Sequence, residues 1–338
     1  MASARCMERA RRNALKILSR QRRGRARRRP LFERGPFGAA DEAGEAMSMG
    51  QETRRGEEKG GRDEAMRRRA IGVFDSGVGG LTVLKAIQAR LPCERTVYLG
   101  DTARVPYGQR SAEVVIRYSA DNARFLLGQD IKILVVACNT ASALALASLR
   151  ASLDIPVIGV IEPGARAAIA ATRSGRIGVI GTRATVQSEA YQRALRGLRR
   201  DVELCAVACP LFVPLAEEGW VEGDIARAVA ARHLSAFAGF EMDALVLGCT
   251  HYPLLKGAIA EVVGSGVALV DSAEATAEAV EALLHERGWA APAGEAGGMA
   301  ARHRCFVTDQ PEIFAAVGAR FLGRSLPVVE RVRLSEWA

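Results

Sequence analysis

Ile133-Leu134-Val135-Val136-Ala137-Cys138-Asn139-Thr140 and Ala244-Leu245-Val246-Leu247-Gly248-Cys249-Thr250-His251 decide the fold. Each is a short, valine-rich aliphatic run, the signature of a strand buried on both faces of a parallel sheet. Each ends in a cysteine followed by polar residues. Open α/β sheets place ligands at the carboxyl ends of their strands. The two thiols are therefore expected to face each other across one cleft. That geometry suits a reaction that needs an acid and a base on opposite faces of a single carbon.

Outward from these runs, strands and helices alternate from Ala70 onward. Apolar runs fall at 70–74, 96–99, 132–137, 156–161, 176–180, 202–207, 243–248, 267–270, 304–307 and 327–332. Amphipathic segments lie between most of them, at 80–90, 111–127, 185–197, 223–238 and 273–287. This alternation predicts βαβ units and parallel sheets. The chain also repeats itself. Ile71-Gly72-Val73-Phe74-Asp75-Ser76 is echoed 106 residues later by Ile177-Gly178-Val179-Ile180-Gly181-Thr182, and Cys138 is echoed 111 residues later by Cys249. Two echoes at nearly one spacing predict two similar parallel-sheet α/β halves related by a pseudo-twofold axis, with the active site between them. The expected division is a domain of 70–162 plus 273–338 and a second of 163–272.

The 338 residues, 49% hydrophobic, suffice for one large or two ordinary cores. The net charge of +9 is unevenly spread. Of 47 bases and 38 acids, residues 1–69 hold 20 and 10, leaving 27 and 28 for the rest. The body is thus nearly neutral, and the basic balance says nothing about its chemistry. Residues 1–69 read as a disordered basic extension, poor in residues to bury. Met66, followed by Arg-Arg-Arg and the first strand, would make a natural start. A nucleic-acid arm is the competing reading. Seven cysteines without a CxxC spacing point to a reducing cytoplasm and to no metal, Cys205 and Cys209 having no histidine near them. No run approaches the ~18 apolar residues of a membrane span.

The glycine-rich loop Asp75-Ser76-Gly77-Val78-Gly79-Gly80-Leu81-Thr82 is near a dinucleotide fingerprint. Thr82 stands where that fingerprint needs its third glycine, and Asp75 would face a pyrophosphate unfavourably. Beyond the next strand end lies Gly100-Asp101-Thr102, followed by the turn Pro106-Tyr107-Gly108, placed to line the same cleft. Cys138 and Cys249 each sit at a strand-to-helix turn, where helix amides favour a thiolate. Asn139 and Thr140 flank the first, and Thr250 and His251 the second. His251 is placed to act as a general acid or base, or to assist Cys249.

On these motifs, with Gly248-Cys249-Thr250-His251-Tyr252-Pro253-Leu254, the chain from about Ile71 to Ala273 resembles the glutamate racemases, cofactor-independent members of the aspartate/glutamate racemase superfamily. The resemblance implies that Cys138 and Cys249 are the catalytic thiols, Cys138 attacking D-glutamate and Cys249 L-glutamate. It implies that Asp75, Ser76, Tyr107, Gly108, Asn139, Thr140, Thr250 and His251 contact the amino acid, with Asp75 and His251 tuning the cysteines. Thr185 and Glu217 stand at further positions associated with the family's site. It further implies D-glutamate for peptidoglycan, no cofactor, a homodimer and a peptidoglycan-precursor activator. An aspartate racemase with a side-chain pocket one methylene shorter is the nearest alternative. A non-enzymatic role in binding DNA gyrase is the alternative from another class.

Overall fold

The computed structural model describes residues 61, 63–292, 302–326 and 328–334. The extension up to residue 60 lies outside the described residues. Each apolar run becomes a strand, and all the strands pair in parallel. The first four are β1 (Ala70–Asp75), β2 (Thr96–Gly100), β3 (Ile131–Val136) and β4 (Val157–Gly159). The next four are β5 (Arg176–Gly181), β6 (Glu203–Ala208), β7 (Ala244–Gly248) and β8 (Ala268–Asp271). The last two, β9 (His303–Val307) and β10 (Val329–Arg331), return to the first sheet, whose order is β10-β9-β2-β1-β3-β4. The second sheet has the order β6-β5-β7-β8.

The repeat read in the sequence is a repeat of topology. In each half the first strand lies between the second and the third, and the fourth lies beyond the third. Thus β1 corresponds to β5 and β3 to β7, and the two cysteines follow corresponding strands. Among the described residues, β9 and β10 have no counterpart in the second half. β1, β2, β3 and β7 are buried along their whole length, which is why they read as unbroken apolar runs rather than as alternations.

The helix Leu81–Arg90 packs on the first sheet and meets the helix Ser272–Arg287, which brings the chain back to that core through Ala273, Ala277, Val280 and Leu284. The helix Ile161–Ala171 belongs to the core of the second sheet. The amphipathic stretch expected at 185–197 is two helices, Arg183–Gln187 and Ala190–Leu198, separated where Glu189 takes a left-handed backbone with φ 54°. Among the described residues, no helix is long and apolar enough to cross a membrane.

The described residues reach ahead of Ala70, into the stretch read as extension. Residues 63–68 are helical, and Met66 is buried. The Trp289 indole N–H donates to Asp63 at 3.1 Å, and Arg67 Nε donates to the Gly288 carbonyl at 2.8 Å. Lys132, fully buried in β3, donates to the carbonyls of Arg67 and Trp289 and pairs with buried Glu94 at 2.6 Å. A buried cation must find such partners, and residues 67 and 289 supply them. The charge-rich composition of 63–69 conceals this anchoring.

Candidate active site

The loops after β1, β3, β5 and β7 converge. Asp75 ends β1 and is wholly buried. Its Oδ2 accepts the Gly77 N–H at 2.9 Å, and its Oδ1 accepts the Thr250 hydroxyl at 3.5 Å. Burial raises its pKa, opposed by His251 and by the N–H groups of Gly77 and Gly80. The glycines of this loop serve close packing. A Cβ on Gly79 would overlap Thr250 Oγ1 and the His251 imidazole, so only glycine lets the first half's loop seat on the second half's turn. Gly108 repeats the device, since a Cβ there would lie 2.7 Å from the Thr182 side chain.

Cys138 caps the helix Asn139–Leu144. Its sulfur accepts the Ala141 N–H at 3.5 Å, and its thiol donates to Ser76 Oγ at 3.6 Å. Burial pushes this thiol up to about 12. Asp75 and Cys249 add to the push, and the Ala141 and Ser76 contacts offset part of it. Cys138 is therefore a neutral thiol at neutral pH.

Cys249 has different company. Its sulfur lies 3.8 Å from His251 Nδ1, and His251 Nε2 lies 2.9 Å from Glu217 Oε1. Burial opposes charge on the imidazole, but Cys249 and Glu217 outweigh it and push its pKa up to about 10. The Glu217 carboxylate is 45% exposed, so solvent screens its share. An imidazolium thus faces one thiol, while a carboxyl group faces the other.

Both cysteines line one cavity of about 470 Å³, with Ser76, Asn139, Thr140, Thr250 and His251. This volume is within the range of small-molecule sites. Tyr107, Gly108 and Glu217 line it too. The Tyr107 hydroxyl is committed elsewhere: it donates to Asp101 and accepts from Asn122 at 3.0 Å, with Arg104 bracketing Asp101. Two of the expected residues do not line the cavity. Asp75 lies beneath its floor. Thr185 lies behind Thr140, which reaches Thr182 at 3.0 Å and Thr185 at 3.3 Å.

Asn139 carries an open donor. Its Oδ1 accepts the Tyr191 hydroxyl at 2.7 Å, and its buried Nδ2 has no hydrogen-bond partner among the described residues. A buried amide hydrogen without a partner is costly, and a ligand carboxylate would satisfy it.

Sequence reasoning missed Thr182, Tyr191 and the wall of Pro210, Leu211, Val213 and Pro214 that encloses the cavity on its apolar side. For Thr182 there was a signal, because the echo of Ile71–Ser76 at Ile177–Thr182 sets Thr182 opposite Ser76. The apolar wall has no such marker, since its residues read as ordinary core.

The sequence matches the Asp/Glu/hydantoin racemase family over residues 79–280. It is 56% identical to the glutamate racemase of Geobacter metallireducens over 266 residues, 79% of this chain and 97% of that one. The fold is similar to a glutamate racemase isoform from Bacillus anthracis, with a TM-score of 0.75 and 41% identity over 79% of this chain and 98% of that one. It is also similar to the Francisella tularensis glutamate racemase solved in complex with D-glutamate, with a TM-score of 0.74 and 37% identity over 80% of this chain and all of that one.

Proposed function

The chain belongs to the Asp/Glu/hydantoin racemase family, and from that membership we propose that it interconverts L- and D-glutamate by two-base proton transfer at Cα. The observation that carries this reading is the pair of thiols, Cys138 and Cys249, lining one cavity from the ends of corresponding strands.

The chemistry is removal of a weakly acidic Cα proton from one face and delivery of a proton to the other. With no electron sink, the carbanion must be stabilised by the electrostatics of the site. A thiol can serve as acid in one direction and base in the other, because its ordinary pKa lies near the working range. In the L-to-D direction, a Cys249 thiolate takes the Cα proton, with the His251 imidazolium 3.8 Å away as counter-ion. The neutral Cys138 thiol gives its proton to the opposite face and leaves as thiolate. In the D-to-L direction the roles reverse. The Asn139 amide donates to the substrate carboxylate, and Ser76, Thr140 and Thr250 supply further hydroxyls. The product, D-glutamate, feeds peptidoglycan synthesis.

The described cysteines are all free, which fits a reducing compartment, and we place the enzyme in the cytoplasm. A homodimer and a peptidoglycan-precursor activator extend the same reading, to be checked by sedimentation and by assays with and without the precursor. Polarimetry of the purified chain with L-Glu, D-Glu, L-Asp and D-Asp, with no added pyridoxal phosphate or metal, tests the function. Racemisation of glutamate and not aspartate is expected. Racemisation of aspartate alone, or of neither, would overturn the proposal.

A further inference from the structure

We infer that Arg320 and Phe321, adjacent residues of the helix Pro311–Leu322, are positioning residues that hold the His251–Glu217 pair against Cys249 from outside the cavity. The inference rests on the racemase reading above. Both residues lie beyond the 79–280 stretch that matches the family.

The helix Pro311–Leu322 connects β9 to β10 and so belongs to the unrepeated part of the first half. Its Phe314 and Phe321 are buried in the core with Leu81 and Tyr98. At its last turn it reaches the second half. Arg320 Nη1 donates to the Glu217 carbonyl at 2.8 Å. That carbonyl lies at the carboxyl end of the helix Phe212–Glu218, where a cation meets both unsatisfied carbonyls and the negative end of the helix dipole. The helix stops at Gly219, whose φ is +79°. A Cβ there would lie 2.5 Å from Arg320 Nη1. Glycine therefore serves twice, by adopting the left-handed turn and by leaving room for the guanidinium.

Phe321 makes the second contact. Its ring meets the His251 imidazole edge to face, with centroids 5.2 Å apart and planes at 82°. One residue thus holds the backbone of Glu217, and the next covers the ring of His251. Between them lies the 2.9 Å contact from His251 Nε2 to Glu217 Oε1. Glu217 needs such support. An exposed carboxylate on a short helix loses orientation to solvent and to its own rotamers, and Arg320 fixes the point from which it reaches. The helix is already committed to the same core through Ala216.

The charged and titratable groups facing His251 are Cys249 from its own turn, Glu217 from the helix Phe212–Glu218 and Asp75 from β1. Of these, Glu217 is the one the clamp places. Loosening it removes counter-charge from the imidazolium, while Arg320 and Phe321 themselves stand outside the residues that line the cavity.

The test uses the full chain with ¹⁵N-labelled histidine, His251 being assigned from a His251→Gln variant. In Arg320→Ala, the His251 titration should fall by about one pKa unit. Its kcat/KM for glutamate at neutral pH should fall about tenfold, with KM little changed. Arg320→Lys, which keeps a cationic donor, should restore most of both. Phe321→Leu, which keeps apolar volume without a ring edge, should move the titration in the same direction, and it serves where Arg320→Ala fails to fold. An unchanged titration in Arg320→Ala would overturn the inference. So would equal losses in the Ala and Lys variants that merely track thermal stability. If the wild-type chain does not racemise glutamate, the functional reading fails, yet the histidine titrations still decide whether the clamp exists.

Discussion

The Tyr191 hydroxyl donates to Asn139 Oδ1 across 2.7 Å, a bond from the second half to the first that leaves the buried Asn139 Nδ2 without a partner among the described residues. With Oδ1 occupied, Nδ2 is the donor that the proposed function assigns to the substrate carboxylate. Tyr191→Phe keeps the ring and releases the amide. A hydrogen bond of this kind is worth about 0.5–1.5 kcal/mol, so kcat/KM should fall about three- to tenfold with little change in melting temperature. Asn139→Ala removes the donor itself and should fall further. Steady-state kinetics with both enantiomers checks this, and wild-type rates in Tyr191→Phe would show that the bond does not orient the amide.

The thiol pair makes a sharper prediction. Replacing either cysteine with serine should abolish racemisation in both directions, because a full turnover needs both groups and a serine hydroxyl is too weak an acid to supply the base. In deuterated water, Cys249→Ser should exchange only the Cα hydrogen of D-glutamate, and Cys138→Ser only that of L-glutamate. Proton NMR of the Cα signal reads this directly. Swapped preferences would reverse the faces, whereas racemisation by either single variant would refute the two-base mechanism.

The imidazolium also carries a pH signature. In the folded protein His251 keeps its proton up to about pH 10, against an ordinary value of 6.5. A folded pKa above the unfolded one gives stability that is complete below about pH 6.5 and is lost as pH rises towards 10. Glu217→Gln removes one source of this elevation. The variant should be less stable than wild type near pH 6, and the gap should close above about pH 10. Because Glu217 is 45% exposed, the gap should be about 1 kcal/mol or less. Urea denaturation of the two proteins across that range measures it, and a gap that widened with pH would contradict the assignment.

Two truncations separate the extension from the body. A chain beginning at Met66 keeps the buried Met66 side chain and the Arg67 carbonyl that receives Lys132. It should retain activity within about tenfold of the full chain, or ~1.4 kcal/mol in barrier. A chain beginning at Ala70 loses both, together with the Arg69–Asp130 pair. It should be less stable by about 2 kcal/mol or more. Equal melting temperatures for the two truncations would show that residues 66–69 contribute nothing.

β1, β2, β3 and β7 were legible because they are buried along their whole length, so each left an uninterrupted aliphatic run. The cysteine pair was legible because a repeated context is improbable by chance. The alanine-rich helices Asn139–Leu144 and Ile161–Ala171 were harder, since small residues blur the contrast between buried and exposed faces. Arg320 and Phe321 were not legible. Their contacts with Glu217 and His251 span 103 and 70 residues of chain, and nothing in local periodicity encodes a meeting at that distance. The anchoring of residues 63–69 was hidden for the opposite reason. Their arginines suggest solvent, while the backbone carbonyl of Arg67 faces a buried lysine.

The unequal neighbours of the two thiols, imidazolium for Cys249 and carboxyl for Cys138, cannot make the enzyme a one-way device. Mirror-image molecules have the same free energy in water, so kcat/KM must be equal in both directions whatever the site looks like. The asymmetry can show itself only at saturation. The enantiomer that binds more tightly must turn over more slowly, in the same proportion. A cell that wants one hand of glutamate must therefore draw it off by a later, irreversible step. The protein can tune how full its site stands while it waits.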